Sequence, residues 1–300
     1  MSAQAAAMRA GPGRFSSWLM ATRPRTLTAG VMPVLVGSAV AYREGSFNLP
    51  VAIATLAAAV LIQIGTNLAN DYYDFIGGAD TEARLGPVRV TQAGLIAPAV
   101  VRNAAFAALG LAGIVGCYLV AVGGWPILVI GIVSLVAALA YTAGPYPLAY
   151  LGLGDAFVFA FFGVIAVNGT VFLQCGRLSA LALASSIPVA CLATAILVVN
   201  NLRDVDTDQI AGKRTLAVRL GRGFARAEYV TLIAVAFLAL PAMAVMGGYA
   251  LLAPLCAIPL AFAESRALLS RSGAALNESL AGTARLHMVF GLLLVVALVL

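Results

Sequence analysis

"CLATAILVVNNLRDVDTDQIAGKRT", residues 191–215, passes from an unbroken apolar run into three aspartates within five residues, Asp204, Asp206 and Asp208. The only lysine of the chain, Lys213, follows five residues later. The first half reads as the end of a membrane helix and the second as the polar segment at its mouth. In a chain that is 62% hydrophobic and only 10% charged, scarce charges of both signs have been gathered at one helix end. Such a concentration needs a chemical reason.

Working outward, the apolar run is one of many. Three hundred residues with a mean hydropathy of +1.00 and repeated runs of about 20 apolar residues describe a polytopic helical membrane protein, because a span needs roughly 20 such residues. The pattern predicts nine spans, near 26–43, 49–71, 102–122, 124–142, 155–174, 179–201, 228–246, 248–264 and 281–299. The fold class is therefore all-α, a single integral-membrane domain over 1–300. Residues 1–25 form a cytoplasmic or interfacial segment whose apolar run is too weak for a signal peptide. Within it, Phe15, Trp18 and Leu19 between Arg14 and Arg23 fit a short interfacial helix.

The net charge of +6 follows topology and not a nucleic-acid surface. With the N-terminus in the cytoplasm, the N-terminal segment and the 2–3, 6–7 and 8–9 connections collect sixteen basic residues, and only Arg43 and Arg177 fall on the other side. That bias predicts a cytoplasmic N-terminus and an external C-terminus. It also places the chain in the cytoplasmic membrane with the acidic clusters facing the cytoplasm. Cys117, Cys175, Cys191 and Cys256 are scattered without a CxxC pair and read as small buried hydrophobes; His287, alone in the last span, reads as a packing residue.

Six of the seven aspartates fall in two short clusters, both at cytoplasmic helix ends. "GTNLANDYYDFIGGAD", residues 65–80, spaces Asn67, Asp71 and Asp74 at i, i+4 and i+7 on one helix face. The opening stretch repeats the design with Asn200, Asp204 and Asp208 at i, i+4 and i+8, a recurrence that hints at an internal duplication. Carboxylates in or near a membrane are functional candidates by default, since one near the bilayer centre costs about 2.5–3.5 kcal/mol even on lenient insertion scales. Facing rows of aspartate repel one another and imply bound cations. Magnesium takes one or two carboxylates plus the phosphate oxygens of its substrate, so two such helices suit a diphosphate bridged by Mg²⁺. Lys213, Arg214, Arg84 and Arg89 then supply direct contacts to phosphate.

Two competitors arise from the same residues. A calcium-binding EF-hand loop would share the D-x-D-x-D opening, but its sixth position is Gln209 where glycine is needed and its twelfth is Thr215 where glutamate is needed. A cation-coupled transporter would also carry intramembrane acids, but usually near the midplane on broken helices. Here both clusters lie at one face beside polar loops of about 25–30 residues, which favours a capped site. No Walker A sequence is present.

"NDYYDFIGGAD" and "NNLRDVDTDQIAGKRT" resemble the two aspartate motifs of the UbiA superfamily of membrane prenyltransferases. "RLGPVRVTQAGLI" and "YTAGPYPLAYLGLGDAFVFAFFG" are similar to the branch that prenylates 1,4-dihydroxy-2-naphthoate. The resemblance implies nine helices around a central cavity, cytoplasmic loops capping it, and two Mg²⁺ ions holding a polyprenyl diphosphate. Carried over by position, it makes Asp71, Asp74, Asp204 and Asp208 catalytic, and these four with Asn67 metal ligands. Asn67, Asn70, Arg84, Arg89, Tyr141, Asn200, Lys213 and Arg214 become substrate-binding. The superfamily's last aspartate of the first motif would fall at Gly78; the nearest acid is Asp80. Tyr72, Tyr141 and Tyr146 are candidates to face an allylic cation, and Asp155 to orient the acceptor or a loop lysine. The implied activity is prenyl transfer to the naphthoate with loss of carbon dioxide, a menaquinone-forming step; 4-hydroxybenzoate and homogentisate are the alternative acceptors. Membrane lipid is the remaining expected partner, because a polyprenyl tail resides in the bilayer.

Overall fold

A computed structural model describes residues 13–80, 84–144 and 147–300. Arg9 and Tyr146 lie outside the described residues, as does the side chain of Arg25. Among the described residues every regular element is a helix.

The chain enters through a short helix, α1 (Arg14–Thr22), whose Ser17 and Ala21 are buried while Phe15 and Leu19 face outward, as an interfacial helix requires. Arg23 takes a left-handed φ of 51°, a conformation uncommon for a side-chain-bearing residue, and Pro24 then opens α2 (Pro24–Arg43). Next come α3 (Leu49–Ile76), α4 (Pro98–Gly123) and α5 (Trp125–Ala140). The second half holds α6 (Gly154–Cys175), α7 (Ala180–Arg203), α8 (Val205–Ile210), α9 (Leu216–Gly247), α10 (Ile258–Ser270) and α11 (Leu276–Val299). Side-chain caps mark the starts of three long helices: Asn48 accepts from Val51 N (3.2 Å), Ser179 from Ala182 N (3.3 Å) and Thr215 from Val218 N (3.3 Å). Gly176, at φ 69°, closes α6 in the left-handed conformation that glycine adopts without penalty.

All nine expected spans fall on helices. Among the described residues seven helical segments are long and apolar enough to cross a membrane. The other two expected spans, 26–43 and 124–142, correspond to α2 and α5. α5 has 16 residues, about 24 Å at 1.5 Å per residue, shorter than a hydrocarbon core of about 30 Å. Length and composition therefore do not establish the count of nine.

Burial orders the helices around α7. Its most apolar 18-residue window is 78% buried, against 17% in α3 and 28% in α4 and α9, so α7 stands in the centre and the others turn a face outward. Leu192 and Val199 of α7 pack with Val36 and Val40 of α2, Leu240 of α9 and Leu294 of α11. Outward-facing Ile114, Leu238, Val245 and Phe262 form the apolar coat expected against lipid. The tightest approach is between α6 and α7, where a Cβ on Gly163 would lie 2.1 Å from Ala190 Cβ. Small residues at such a crossing let backbones meet without a large side chain between them.

Two irregularities shape the cavity side. Residues Ala160–Ile165 of α6 form a π-helical turn, which rotates the residues after it relative to those before. In α9, Gly221 breaks the helix at φ 85°, ψ 169°, separating a basic amphipathic start from the apolar span. The two arginines expected on the far side are both tied there. Arg43 donates to the carbonyls of Leu298 and Gly247 at the C-terminal ends of α11 and α9, and Arg177 pairs with Glu44 at 2.8 Å. The acidic ends of α3 and α7 lie at the opposite end of the bundle.

Candidate active site

The two acidic helix ends meet around a cavity of about 200 Å³. α3 contributes Asn67, Asn70 and Asp74; α7 and the turn after it contribute Asn200, Asn201, Asp204 and Asp208. Arg84, Arg89 and Lys213 reach it from the connecting loops and Arg23 from the α1–α2 junction. Four cations and four carboxylates, Asp155 being the fourth, thus line the cavity among the described residues.

Asp74 is the hub. Its Oδ2 accepts from Arg89 Nη2 at 3.0 Å and its Oδ1 from Lys213 Nζ at 3.1 Å, and it is 3% exposed. Lys213 is held in place from behind by the Tyr150 ring, 5.0 Å from its ammonium. Arg214, expected to bind substrate, instead gives its backbone N–H to Tyr150 O at 3.0 Å, and it does not line the cavity. Asp80 is fully buried between two guanidinium groups, Arg84 and Arg89. Burial pushes its carboxyl up to about 6 even though Arg84 pulls it down. It therefore holds the two arginines and does not enter the cavity.

Asp71, expected among the metal ligands, is not among the residues that line the cavity. Its Oδ1 and Oδ2 accept the backbone N–H groups of Thr91 and Val90 at 3.0 and 3.2 Å, and it is turned away from the cavity. The reason is helical geometry: Asn70 and Asp71 are consecutive and so stand about 100° apart around the axis. The cavity takes Asn70, and the loop behind it takes Asp71. Thr142 Oγ1 donates to Asn70 Oδ1 at 2.8 Å. Asn67 spends its amide N–H groups on Thr22 O (3.0 Å) and Thr26 Oγ1 (3.3 Å), leaving its carbonyl oxygen for a ligand.

At the other helix end stands Arg203, which the sequence suggests, with Arg84 and Arg89, as part of a basic cap for the acceptor's carboxylate. It is 2% exposed and chelates Asp204 through Nε (2.8 Å) and Nη2 (2.6 Å), while also reaching Asn200 Oδ1 (2.8 Å) and Asn277 Oδ1 (2.9 Å). Asn277 in turn donates to Leu85 O at 2.8 Å, which fastens the loop carrying Arg84 and Arg89 onto α11. Gly86 makes room for this contact, since a Cβ there would lie 2.7 Å from Arg203 Nη2. The signal available in the sequence was an arginine one residue before an aspartate at the end of a buried helix. Asp208 forms no ion pair among the described residues, and burial lifts it to about 6 despite Lys213. Asp206 lies outside the site, exposed and paired with Arg222.

Below the polar cavity lies a larger apolar one of about 470 Å³, lined by α2 to α6. The two share Gln63, Thr66, Tyr141, Val158 and Phe162 at their junction. Of the candidate tyrosines, Tyr141 sits at this junction, whereas Tyr72 packs beneath Arg102, 5.9 Å away, outside both cavities.

The donor set fits a hard divalent cation. It offers only carboxylate and amide oxygens, without histidine or cysteine. Among the described residues no three carboxylates converge on one point, so an ion here needs oxygens from its substrate. Among the described residues, Arg84 Nε and Arg89 Nη1 are buried donors without acceptors, which suits an anionic partner.

A polar, charge-balanced cavity opening into an apolar one inside an all-helical membrane bundle is the architecture of an enzyme whose substrate is half ionic and half lipid. Residues 30–297 match the UbiA prenyltransferase family, to which the chain belongs, so the protein is an integral-membrane prenyltransferase. Its sequence is 39% identical over 226 residues to the 1,4-dihydroxy-2-naphthoate octaprenyltransferase of Escherichia coli, covering 73% of each chain. It is 40% identical over 222 residues to the enzyme of that name from Mycobacterium tuberculosis, covering 74% of this chain and 76% of the relative. Among solved structures it is similar in fold to a UbiA homologue from Aeropyrum pernix (TM-score 0.68, 18% identity, 90% of this chain and 97% of that one). A UbiA homologue from Archaeoglobus fulgidus bound to DMAPP and Mg²⁺ gives a TM-score of 0.64 at 14% identity, covering 93% and 99%.

Proposed function

We propose that the protein transfers a polyprenyl group from polyprenyl diphosphate to 1,4-dihydroxy-2-naphthoate, with Mg²⁺ and with loss of carbon dioxide, giving demethylmenaquinol. The observation that carries this reading is the junction itself. A cluster of orphaned cationic donors and carboxylates stands at the mouth of an apolar cavity, with Tyr141 between them. The relatives named for this naphthoate acceptor support the choice of ring.

Asp74, Asp204 and Asp208, with the amides of Asn67, Asn70 and Asn200, are the residues that would hold Mg²⁺. Bound there, the ion would neutralise charge on the leaving diphosphate. Arg84, Arg89 and Lys213 bind the remaining phosphate oxygens and favour breakage of the allylic C–O bond by stabilising the charge that develops. Arg23 and Arg203 balance the cavity around them. The apolar cavity aligns the tail and excludes water from the allylic carbon, and the face of Tyr141 lies where positive charge forms. Asp71 acts from behind the site by fixing the loop that carries Arg89. On the charge asymmetry of the sequence, the acidic end faces the cytoplasm and the apolar cavity takes its tail from membrane lipid.

Membranes carrying the protein, given Mg²⁺, one polyprenyl diphosphate and equal amounts of naphthoate, hydroxybenzoate and homogentisate, should yield mainly prenylated naphthol that has lost carbon dioxide, identified by mass. A dominant prenylated hydroxybenzoate retaining its carboxyl group would remove the naphthoate assignment.

A further inference from the structure

Asp155 is not required by the diphosphate chemistry above, yet it lines the same cavity. It is 5% exposed, and its Oδ1 is buried with no hydrogen-bond donor among the described residues. No ion pair involves it among those residues. A buried acceptor left without a donor carries the full cost of its lost water. Arg84 Nε and Arg89 Nη1 show the opposite deficit, as donors lacking acceptors among the described residues. The cavity therefore asks for two kinds of ligand group: an acceptor-rich one beside the arginines and a donor beside Asp155.

Position separates the two. Asp155 lies in the first turn of α6, one turn before Val158 and two before Phe162, both of which line the junction with the apolar cavity. Tyr141, another junction residue, packs its hydroxyl onto the same turn: a Cβ on Gly154 would lie 3.1 Å from Tyr141 Oη. Arg84, Arg89 and Lys213 are occupied with Asp74 and Asp80. Asp155 thus stands at the end of the polar cavity that opens into the apolar one, and none of the three cations pairs with it among the described residues. Stabilising charge at a helix N-terminus explains why a carboxylate is tolerated in this turn, but not why its oxygen is left open toward the cavity.

We propose that Asp155 is a catalytic residue on the acceptor side, binding a ring hydroxyl of the aromatic acceptor through Oδ1 and taking its proton as the ring attacks. This rests on the prenyl-transfer reading above. As the allylic C–O bond breaks, its electron pair leaves with the diphosphate. The ring carbon that bears the carboxylate, adjacent to the hydroxyl, forms the new C–C bond while the hydroxyl proton moves to Asp155, leaving a dienone that still carries its carboxylate. Loss of carbon dioxide from that carbon returns the electron pair to the ring as a phenolate, which recovers the proton from Asp155. The proton is lent and returned, and no oxidant or further reactant is needed.

The test compares wild type with Asp155→Asn and Asp155→Glu, each against the hydroxynaphthoate acceptor and its methyl ether at the adjacent hydroxyl. Asp155→Asn should lower kcat for transfer on the order of 10²-fold, the usual scale for a general base, leave KM for the prenyl diphosphate within about twofold, and leave thermal unfolding unchanged. Asp155→Glu should recover part of the rate. The methyl ether should slow wild type by a comparable factor but slow Asp155→Asn little further, since both changes remove one interaction. Independent, multiplying losses from the variant and the methyl ether would overturn the proposal. So would a rise in prenyl diphosphate KM that accounts for the whole defect. If wild type prenylates no aromatic acceptor at all, the failure lies with the prenyl-transfer reading and not with Asp155.

Discussion

Asp74 and Asp71 stand three residues apart on one helix and do different work. Asp74 gathers Arg89 and Lys213 at the cavity wall, whereas Asp71 spends both oxygens on the backbone of Val90 and Thr91. Asp74→Ala should therefore abolish transfer by several orders of magnitude and raise the Mg²⁺ requirement of any residual activity. Asp71→Asn should raise KM for the prenyl diphosphate through the displaced arginines while leaving the Mg²⁺ concentration for half activity unchanged. A shifted Mg²⁺ requirement in Asp71→Asn would restore it as a ligand. Protonation gives a second handle. Burial lifts Asp208 from its ordinary value to about 6, so without metal it is charged above that pH and neutral below it. Mg²⁺ must displace that proton as pH falls. The Mg²⁺ concentration for half activity should rise as pH drops from 7 to 5.5, and a flat profile contradicts Asp208 as a ligand.

At the scale of the element, the acidic clusters were legible because charge is so rare in this chain that six aspartates in two places stand out, although Asp206 is an exposed surface residue. Both clusters lie at helix ends that meet at one cavity, which Asp74, Asp204 and Asp208 line and Asp71, Asp80 and Asp206 do not. What spacing did not settle was orientation within the wheel. Asn67, Asn70, Asp71 and Asp74 span an arc wide enough to serve two neighbours, and only the packed loop 84–97 decides which residues each receives. The partners of Arg203 were hidden for a similar reason: Asn277, and Leu85 behind it, come from distant parts of the chain. The π turn in α6 was equally invisible, because an extra residue in a turn leaves an apolar run unchanged. That turn sits against α7 at Gly163, where no side chain fits. Gly163→Val should push the two helices apart and lower thermal stability in detergent by the amount typical of overpacking, about 1–3 kcal/mol or more. A variant with unchanged melting would mean the contact is looser than the Cβ geometry requires.

For the whole molecule, the arrangement of helices by burial places a protected central helix inside a coat of lipid-facing neighbours, with the chemistry at one end. On the charge asymmetry of the sequence, we propose that this end faces the cytoplasm. Reporter fusions at Leu300 should read as external and fusions in the α7–α9 connection as cytoplasmic; a cytoplasmic Leu300 with a cytoplasmic connection would mean an even number of crossings between α9 and the end of the chain. The overall helical class followed from hydropathy alone, whereas α5, only 16 residues long, is an expected span that its length does not establish.

The central claim is that one cavity joins a metal-held diphosphate to a lipid tail. Its most direct measurement is the formation of prenylated naphthol by purified protein in lipid vesicles, before chelation, after chelation and after adding back Mg²⁺. Product should vanish with the chelator, return with Mg²⁺, and remain absent at every Mg²⁺ concentration reached with Asp74→Ala. Undiminished product in chelated vesicles would contradict the account.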